Sequence, residues 1–247
     1  MIQASVIIPA YNEEKNIIAT LKVTIEYLVN KFKKDWELIV VDDGSADRTY
    51  TLVDDFINTP PEIRDNLKLL KNETNLGKGA AVRKGVMAAR GAVQLFMDAD
   101  NSTHIGELAK VLPCFDDKSC DIVIGSRKLK SSHIIRKQPF VRRFMSFVHA
   151  LIIRVVLGVD ASDINCGFKA FKADVAKKIF SLQKIDGWVF DAEILFLAEK
   201  LGYNLKEVPV EWEHKDTSKV LPITAALSSL RGIWEVKKND LQRRYVS

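Results

Sequence analysis

The first half of this 247-residue chain alternates short apolar runs with amphipathic segments, and this alternation limits the possible fold more than any other feature. The apolar runs predict buried strands at Ser5–Pro9, Glu37–Val41, Leu67–Leu70, Ala92–Met97 and Asp121–Gly125. The segments between them predict helices at Glu13–Asn30 with Asn12 as its N-cap, Asp47–Ile57, Lys78–Ala89 and Ile105–Leu112. Strands that alternate with helices form βαβ units, so we expect an α/β fold with a mostly parallel central sheet flanked by helices.

Beyond Arg127 the pattern becomes a mixed α/β region. Helices are expected at Asp174–Phe180, Val189–Lys200 and Ile223–Arg243, and a strand at Leu205–Val210. The sequence contains no internal repeat and no long Gly/Ser/Pro linker. We therefore expect one domain over residues 1–215, followed by a helical extension over 216–247.

Charge and cysteine content limit the compartment and the partners. The net charge of +5 favours anionic partners without naming them. The three cysteines lack metal-type spacing, which favours free thiols in a reducing compartment. No signal peptide is evident at the N-terminus, and no apolar stretch reaches the roughly 18 residues of a transmembrane helix. We expect no membrane-spanning segment.

Two acidic motifs follow predicted strands. Asp42 and Asp43 close the second strand, where carboxylates can accept hydrogen bonds from a base and a ribose. Asp98 and Asp100 close the fourth, and side chains two positions apart on a strand point the same way. These two carboxylates then suit one Mg²⁺ or Mn²⁺ ion shared with diphosphate oxygens. Helix capping is the alternative interpretation of both motifs.

The segment from Asn75 to Ala80 (NLGKGA) resembles a phosphate-binding loop, although it lacks the spacing of a P-loop. A tight turn that opens a helix explains it equally well.

Downstream, Asp163 precedes a Cys-Gly turn and could line a pocket. Asp191 and Glu193 stand at the start of an apolar helix, where complementation of the helix dipole is the alternative to a functional role.

A basic, apolar stretch between Asp121 and Asp160 contains no acidic residue. Over 138–158 its pattern predicts a basic amphipathic helix, which suits an anionic membrane surface. A core helix with solvated charges is the alternative. Its basic residues alternate with aliphatic side chains more than with stacking aromatics, so we do not expect a nucleic-acid partner.

The motifs in order resemble one known family. SVIIPAYNEE, VVDDGSADRT, NLGKGAAVRKG, FMDAD, IGSR, DINCGFKAF, GWVFDAEIL and EVPVEW are similar to family 2 inverting glycosyltransferases of the GT-A fold, a Rossmann-like nucleotide-sugar transferase fold. Within that family they most resemble the dolichyl-phosphate glucosyltransferases and mannosyltransferases. GWVFDAEIL looks more like the glucosyl branch, which favours UDP-glucose over GDP-mannose as the donor.

The resemblance implies roles for matching positions. It implies nucleotide-sugar binding by Pro9, Tyr11, Glu13, Asp43, Asp98 and Glu193, with Asp98 and Asp100 also holding Mg²⁺ or Mn²⁺. It implies acceptor-phosphate binding by Arg127, Arg142, Ser146 and Lys219. Asp100, Arg127 and Asp191 are the expected catalytic residues.

The same resemblance implies that residues 1–215 form a catalytic domain that takes a nucleotide sugar and a polyprenyl or dolichyl phosphate at the cytosolic face of a membrane. The mannosyl enzymes place a Gln two residues after the second metal Asp, and Ser102 stands there instead. Two alternatives stay open, namely a GDP-mannose-dependent enzyme and a family 2 transferase that acts on a glycan hydroxyl. The second would need Asp163 or Asp191 as a catalytic carboxylate.

Overall fold

A computed structural model of the protein describes residues 2–58, 61–136, 140–215 and 222–245. The strands in these ranges are β1 (Ala4–Ala10), β2 (Trp36–Asp42), β3 (Leu67–Lys71), β4 (Val93–Met97), β5 (Ile122–Ser126), β6 (His133–Arg136), β7 (Phe168–Lys172), β8 (Leu205–Pro209) and β9 (Glu211–Glu213). The α-helices are α1 (Ile17–Phe32), α2 (Thr49–Asn58), α3 (Lys78–Ala88), α4 (Leu108–Val111), α5 (Phe140–Leu157), α6 (Ala173–Leu182), α7 (Phe190–Lys200) and α8 (Pro222–Leu241). Short 3₁₀ segments span Pro61–Asn66, Ile105–Glu107 and Leu112–Asp116.

The central sheet confirms the predicted α/β class. Within the described ranges its strand order is β3-β2-β1-β4-β7-β5-β8. The pairs β1–β2, β2–β3, β1–β4 and β5–β8 are parallel, and β7 runs antiparallel between β4 and β5. A second, small sheet pairs β6 with β9. The carboxyl ends of β1, β2 and β4 therefore meet at one edge, together with the amino end of β7.

Apolar side chains cover both faces of the sheet because successive strand residues point to opposite sides. Ile7 and Phe96 lie in the core on one face, together with residues of α3, α6 and α7. Ile8 and Leu95 lie in the core on the other face, together with residues of α1 and α4. A strand buried on both faces reads as a continuous apolar run, which is the pattern that predicted these strands.

The first helix begins later than predicted. It starts at Ile17, and Asn12 adopts a φ of 55°, so Asn12 is not its N-cap. The Asn12 side chain instead accepts hydrogen bonds from the backbone N–H groups of Ala46 and Asp47. Asn12 thereby ties the loop after β1 to the loop after β2.

The C-terminal helix packs into the main body of the protein. Ile233, Val236 and Tyr245 belong to the same core as α6 and α7. The predicted boundary at residue 215 stays a prediction. None of the helices in the described ranges is long and apolar enough to cross a membrane.

Candidate functional site

The Asp98–Asp100 motif lies in a turn just past the end of β4, so strand alternation is not what brings its two carboxylates together. Asn101 closes the turn with a φ of 53°, and Asp100 accepts a hydrogen bond from Ser102 N at 2.9 Å. Thr20 Oγ1 of α1 donates a hydrogen bond to Ala99 O at 2.8 Å, which ties the turn to α1. The pKa of Asp100 is raised, first by burial and then by the charge of Asp98. The turn therefore holds two carboxylates close together, and they form the most negatively charged part of the site.

Asp98 is packed against the start of β7 and against α3. A Cβ atom at Gly167 would lie 2.0 Å from Asp98 Oδ2, so only glycine fits at that position. On the other side, Lys78 Nζ donates to Asp98 Oδ1 at 2.6 Å. Burial lowers the pKa of Lys78, but the charges of Asp98 and Asp191 outweigh burial, and the pKa is raised overall. Lys78 is therefore a permanent cation that bonds directly to Asp98 and lies within electrostatic reach of Asp100.

The glycines of the NLGKGA motif allow a close approach between chain segments. A Cβ at Gly79 would lie 2.6 Å from Ile185 O and 2.6 Å from Phe190 Cβ. The segment before α7 thus packs directly on the start of α3, which places Trp188 and Asp191 beside Lys78. Trp188 is 65% exposed, with Lys78 Nζ 5.4 Å from its ring centroid.

The two aspartates that end β2 have different surroundings. Asp43 is 2% exposed, and its carboxylate accepts from Asn72 Nδ2, Leu76 N and Gly77 N at 2.7, 3.1 and 2.8 Å. Asp43 therefore shapes the loop that leads to α3. Asp42 is fully buried, and its Oδ1 lacks a hydrogen-bond partner among the described residues. The carboxylate oxygen without a hydrogen-bond partner at this strand end therefore belongs to Asp42, whereas the resemblance implied nucleotide binding by Asp43.

The loop after β1 supplies the other nucleotide-binding candidates. Pro9 is buried inside β1, whereas Tyr11 is 45% exposed. Glu13 is half-buried, and its carboxylate accepts from Asn16 Nδ2 at 2.8 Å. Glu13 N donates to Thr49 Oγ1 at 2.8 Å, which fixes this loop to α2.

Arg127 and Asp163 form a bidentate ion pair next to the site. Arg127 Nε and Nη2 donate to the two Asp163 oxygens at 2.6 and 2.7 Å, and Arg127 N donates at 2.9 Å. Burial raises the pKa of Asp163, but the bonds and the charge of Arg127 lower it further than burial raises it. The Arg127 guanidinium also lies 5.2 Å from the Trp212 ring centroid. Asp163 is thus a structural partner of Arg127 and is not free to act as a base.

Asp191 and Glu193 begin α7 but do not share a pocket, because residues two apart on a helix point to nearly opposite sides. Asp191 is 4% exposed and accepts a bond from Lys169 Nζ. Glu193 is fully buried on the far side, where it accepts from Lys184 N, Ile185 N and Tyr245 Oη at 2.9, 2.8 and 2.6 Å. Through these bonds Glu193 links α7 to the C-terminus, and the sugar contact that the resemblance implies for it stays a prediction.

The acceptor-phosphate candidates are only partly described. Ser146 is half-buried on α5. The side chain of Arg142 and the whole of Lys219 lie outside the described residues. Among the described residues there is also no cluster of three or more His, Cys, Asp or Glu side chains able to hold a metal ion.

Comparison with known proteins decides the family. The family model described as "Glycosyl transferase family 2" matches residues 5–180. The chain belongs to glycosyl transferase family 2. It is 35% identical over 255 residues to the dolichyl-phosphate beta-glucosyltransferase of Dictyostelium discoideum, which covers 96% of this chain and 77% of the relative. It is 32% identical to the enzyme of the same name from Saccharomyces cerevisiae, over 87% of this chain and 68% of the relative.

Solved structures confirm the GT-A fold of this family 2 protein. Glucosyl-3-phosphoglycerate synthase from Mycobacterium tuberculosis in complex with UDP matches with a TM-score of 0.67 at 20% identity, over 96% of this chain and 80% of that chain. The same synthase in complex with Mn²⁺, UDP-glucose and phosphoglyceric acid matches with a TM-score of 0.67 at 19% identity, over 96% and 80% of the two chains.

Proposed function

We propose that this protein transfers glucose from UDP-glucose to a dolichyl-type polyprenyl phosphate, with inversion at the anomeric carbon. The relatives at 35% and 32% identity are dolichyl-phosphate beta-glucosyltransferases, which supports both the sugar and the acceptor. The observation that carries the proposal is that both candidate base carboxylates of the site are held by cations, Asp163 by Arg127 and Asp191 by Lys169.

Paired carboxylates favour a phosphate acceptor over a hydroxyl acceptor. A sugar hydroxyl has to lose a proton as it attacks, so it needs a general base near the anomeric carbon. A phosphate monoester has a second pKa of about 6 and is mostly dianionic near neutral pH, so it attacks without one. One acceptor oxygen forms the bond to the anomeric carbon while the bond from that carbon to the UDP oxygen breaks. No proton has to move in this step.

A nucleotide fits the strand ends around Asp42. Pro9, Tyr11 and Glu13 lie in or just after β1, beside the end of β2, and are the proposed contacts to the base and the ribose. Asp43 supports this pocket indirectly, through the loop whose N–H groups it binds.

The carboxylates of Asp98 and Asp100 fit a divalent cation. Two hard carboxylate ligands on one turn suit Mg²⁺ or Mn²⁺ that also binds a diphosphate. When bound, such a cation neutralises charge on the leaving diphosphate. The synthase with the same fold binds Mn²⁺ together with UDP-glucose, which supports this assignment.

Arg127, Arg142, Ser146 and Lys219 are the proposed acceptor-phosphate ligands. Arg127 uses Nε and Nη2 on Asp163, so Nη1 is the group it offers to a phosphate. A guanidinium already fixed in position loses little freedom when it binds an anion.

A lipid acceptor requires the enzyme to reach a bilayer, and α5 and α8 carry the side chains for this. The two helices pack together, and His149 of α5 bonds to Ser229 of α8. We define the α5–α8 apolar surface by its exposed residues, which are Phe147, Leu151, Val155, Leu230, Trp234 and Leu241. Lys237 and Lys238 lie along the same side of α8, which favours an anionic bilayer, at the cytosolic face of the membrane.

A donor and acceptor screen tests the proposal. The purified protein is given radiolabelled UDP-glucose or GDP-mannose, with a short polyprenyl phosphate or a free oligosaccharide, in the presence of Mn²⁺. We expect label in the organic phase only with UDP-glucose and polyprenyl phosphate. Label from GDP-mannose in that phase would support the mannosyl alternative, and label on the oligosaccharide would support a hydroxyl acceptor.

A further inference from the structure

Lys169 is a buried cation beneath the site. It lies on β7 with no exposed surface, and its ammonium donates to Asp191 Oδ1 and, at 2.6 Å, to Cys166 O. The same ammonium lies 5.4 Å from the ring centroid of Phe96 in the core. Removing an ammonium and a carboxylate from water costs several kcal/mol for each ion, and the attraction within a buried pair often only offsets this cost, so an apolar pair of similar size is often at least as stable. A lysine at this position therefore calls for an explanation other than stability.

The position of Asp191 suggests that explanation. Asp191 stands in the first turn of α7, within electrostatic reach of Lys78, and Lys78 bonds to Asp98. Positive and negative groups thus alternate from Lys169 through Asp191 and Lys78 to Asp98. In this row Asp191 lies between Lys169 and Lys78, and Lys78 separates it from Asp98 in the proposed diphosphate site. A hexose attached to a diphosphate at Asp98 would come close to Asp191 if it extended along this row.

We infer that Lys169 is a positioning residue that holds the Asp191 carboxylate so that it accepts hydrogen bonds from hydroxyl groups of the donor hexose. The inference rests on the proposed function. Lys169 is itself fixed by Cys166 O, so the pair has little freedom to swing. A carboxylate held in this way is already ordered before the sugar binds, so binding a hydroxyl group costs little side-chain entropy.

Comparing UDP-glucose with UDP separates positioning from general support of the fold. Both ligands share the base, the ribose and the diphosphate, and only UDP-glucose carries the hexose. Losing a charge-assisted hydrogen bond weakens binding by about 10- to 100-fold. We expect Lys169→Met and Asp191→Asn each to weaken UDP-glucose by this factor and to leave UDP within about twofold, measured by calorimetry with Mn²⁺ present.

A double variant tests whether the two residues act as one unit. Lys169→Met and Asp191→Asn each leave one buried charge unpaired, whereas the double variant removes both charges and recovers thermal stability. We expect the double variant to bind UDP-glucose as weakly as either single variant does, because both substitutions remove the same hydrogen bond to the hexose. Lys169→Arg, which keeps the charge, is expected to recover part of the affinity.

The contrary outcomes are distinct. If UDP and UDP-glucose weaken together in the single variants, or if the double variant regains UDP-glucose affinity along with stability, the pair is only structural. If Lys169→Met binds UDP-glucose normally, Lys169 does not position Asp191. If the unmodified protein binds neither UDP-glucose nor UDP, the proposed function itself fails.

Discussion

Lys78 Nζ lies 2.6 Å from Asp98 Oδ1, so one of the two proposed metal ligands already has a protein cation beside it. Asp100 has no such partner in the described part of the chain, and its raised pKa reflects burial and repulsion by Asp98. The pair thus combines one compensated carboxylate with one that is not. This asymmetry gives the two aspartates opposite effects on stability.

We expect Asp100→Asn to raise the melting temperature of the metal-free protein by a few degrees, which corresponds to about 1 kcal/mol in a chain of this size. A raised pKa means that folding disfavours the ionised carboxylate, so a neutral amide relieves the cost. The matched variant Asp98→Asn should lower the melting temperature, because it leaves Lys78 without its bonded carboxylate.

Added Mn²⁺ should stabilise the unmodified protein and should stabilise Asp100→Asn much less, as measured by differential scanning fluorimetry. Both variants should lose glucose transfer. Equal stabilisation of the variant and the unmodified protein by Mn²⁺ would remove Asp100 from the metal site.

The Arg127–Asp163 pair predicts a pH-dependent stability. The pKa of Asp163 in the folded protein is below its usual value of 3.8. The ion pair therefore contributes fully to the free energy of unfolding above pH 3.8, and this contribution is lost as the pH falls through the lowered pKa. Asp163→Asn should destabilise the protein at pH 7 by about 3 to 5 kcal/mol, since it leaves Arg127 without its carboxylate.

Urea unfolding between pH 3 and pH 7 measures both effects, and the penalty of Asp163→Asn should shrink toward the acid end of this range. Asp160→Asn is the control, because Asp160 is 82% exposed in its pair with Arg154 and such pairs contribute about 1 kcal/mol or less. A penalty for Asp163→Asn as small as that of the control would contradict the buried pair.

The α5–α8 apolar surface predicts binding to anionic membranes. Val155 is 75% exposed and Trp234 is 64% exposed, and burying such side chains in a bilayer interface drives association. We expect the protein to float with phosphatidylserine-containing liposomes, and Val155→Ser with Trp234→Ser to reduce the bound fraction severalfold without changing transfer to a water-soluble, short-chain acceptor.

Val29→Ser provides the matched control, because Val29 is an exposed apolar residue on α1. It should leave flotation unchanged. Flotation of the double variant at the level of the unmodified protein would mean that this surface does not contact lipid.

Glu193 is predicted to matter for stability and not for chemistry. Glu193→Gln weakens acceptor bonds to two backbone N–H groups and to Tyr245, at a cost of about 1 to 3 kcal/mol. Transfer per folded molecule should stay at the level of the unmodified protein, and Tyr245→Phe should behave in the same way. A loss of transfer at full stability would return Glu193 to the sugar site.

The sequence predicts the parallel core well because Ser5–Pro9, Glu37–Val41 and similar runs are short and largely apolar, which is the pattern of strands buried on both faces. It does not predict β7, where Lys169 and Lys172 interrupt the apolar pattern. The buried ammonium of Lys169 is stabilised by Cys166 O and by Asp191, which lies 22 positions away in the sequence. The sequence places Asp191 and Glu193 at the start of the same helix and gives no reason to assign them different roles. In the folded helix their side chains point to nearly opposite sides and contact different groups.

The same limit applies to Asp42 and Asp43. Adjacent identical residues differ only through their partners, and those of Asp43 come from a loop about 30 residues further along the chain. Local pattern therefore identifies the strand end as a binding edge, but only the folded contacts show which carboxylate keeps an oxygen unused.

The central claim is that a phosphate oxygen of the acceptor displaces UDP directly from the anomeric carbon of glucose. The most direct measurement is NMR of the purified lipid product made from UDP-glucose, whose sugar is α-linked. A single displacement predicts a β-glucosyl phosphate, with the lipid phosphorus bonded through oxygen to the anomeric carbon. An α-linked product, or glucose attached at any atom other than a phosphate oxygen, would contradict the account.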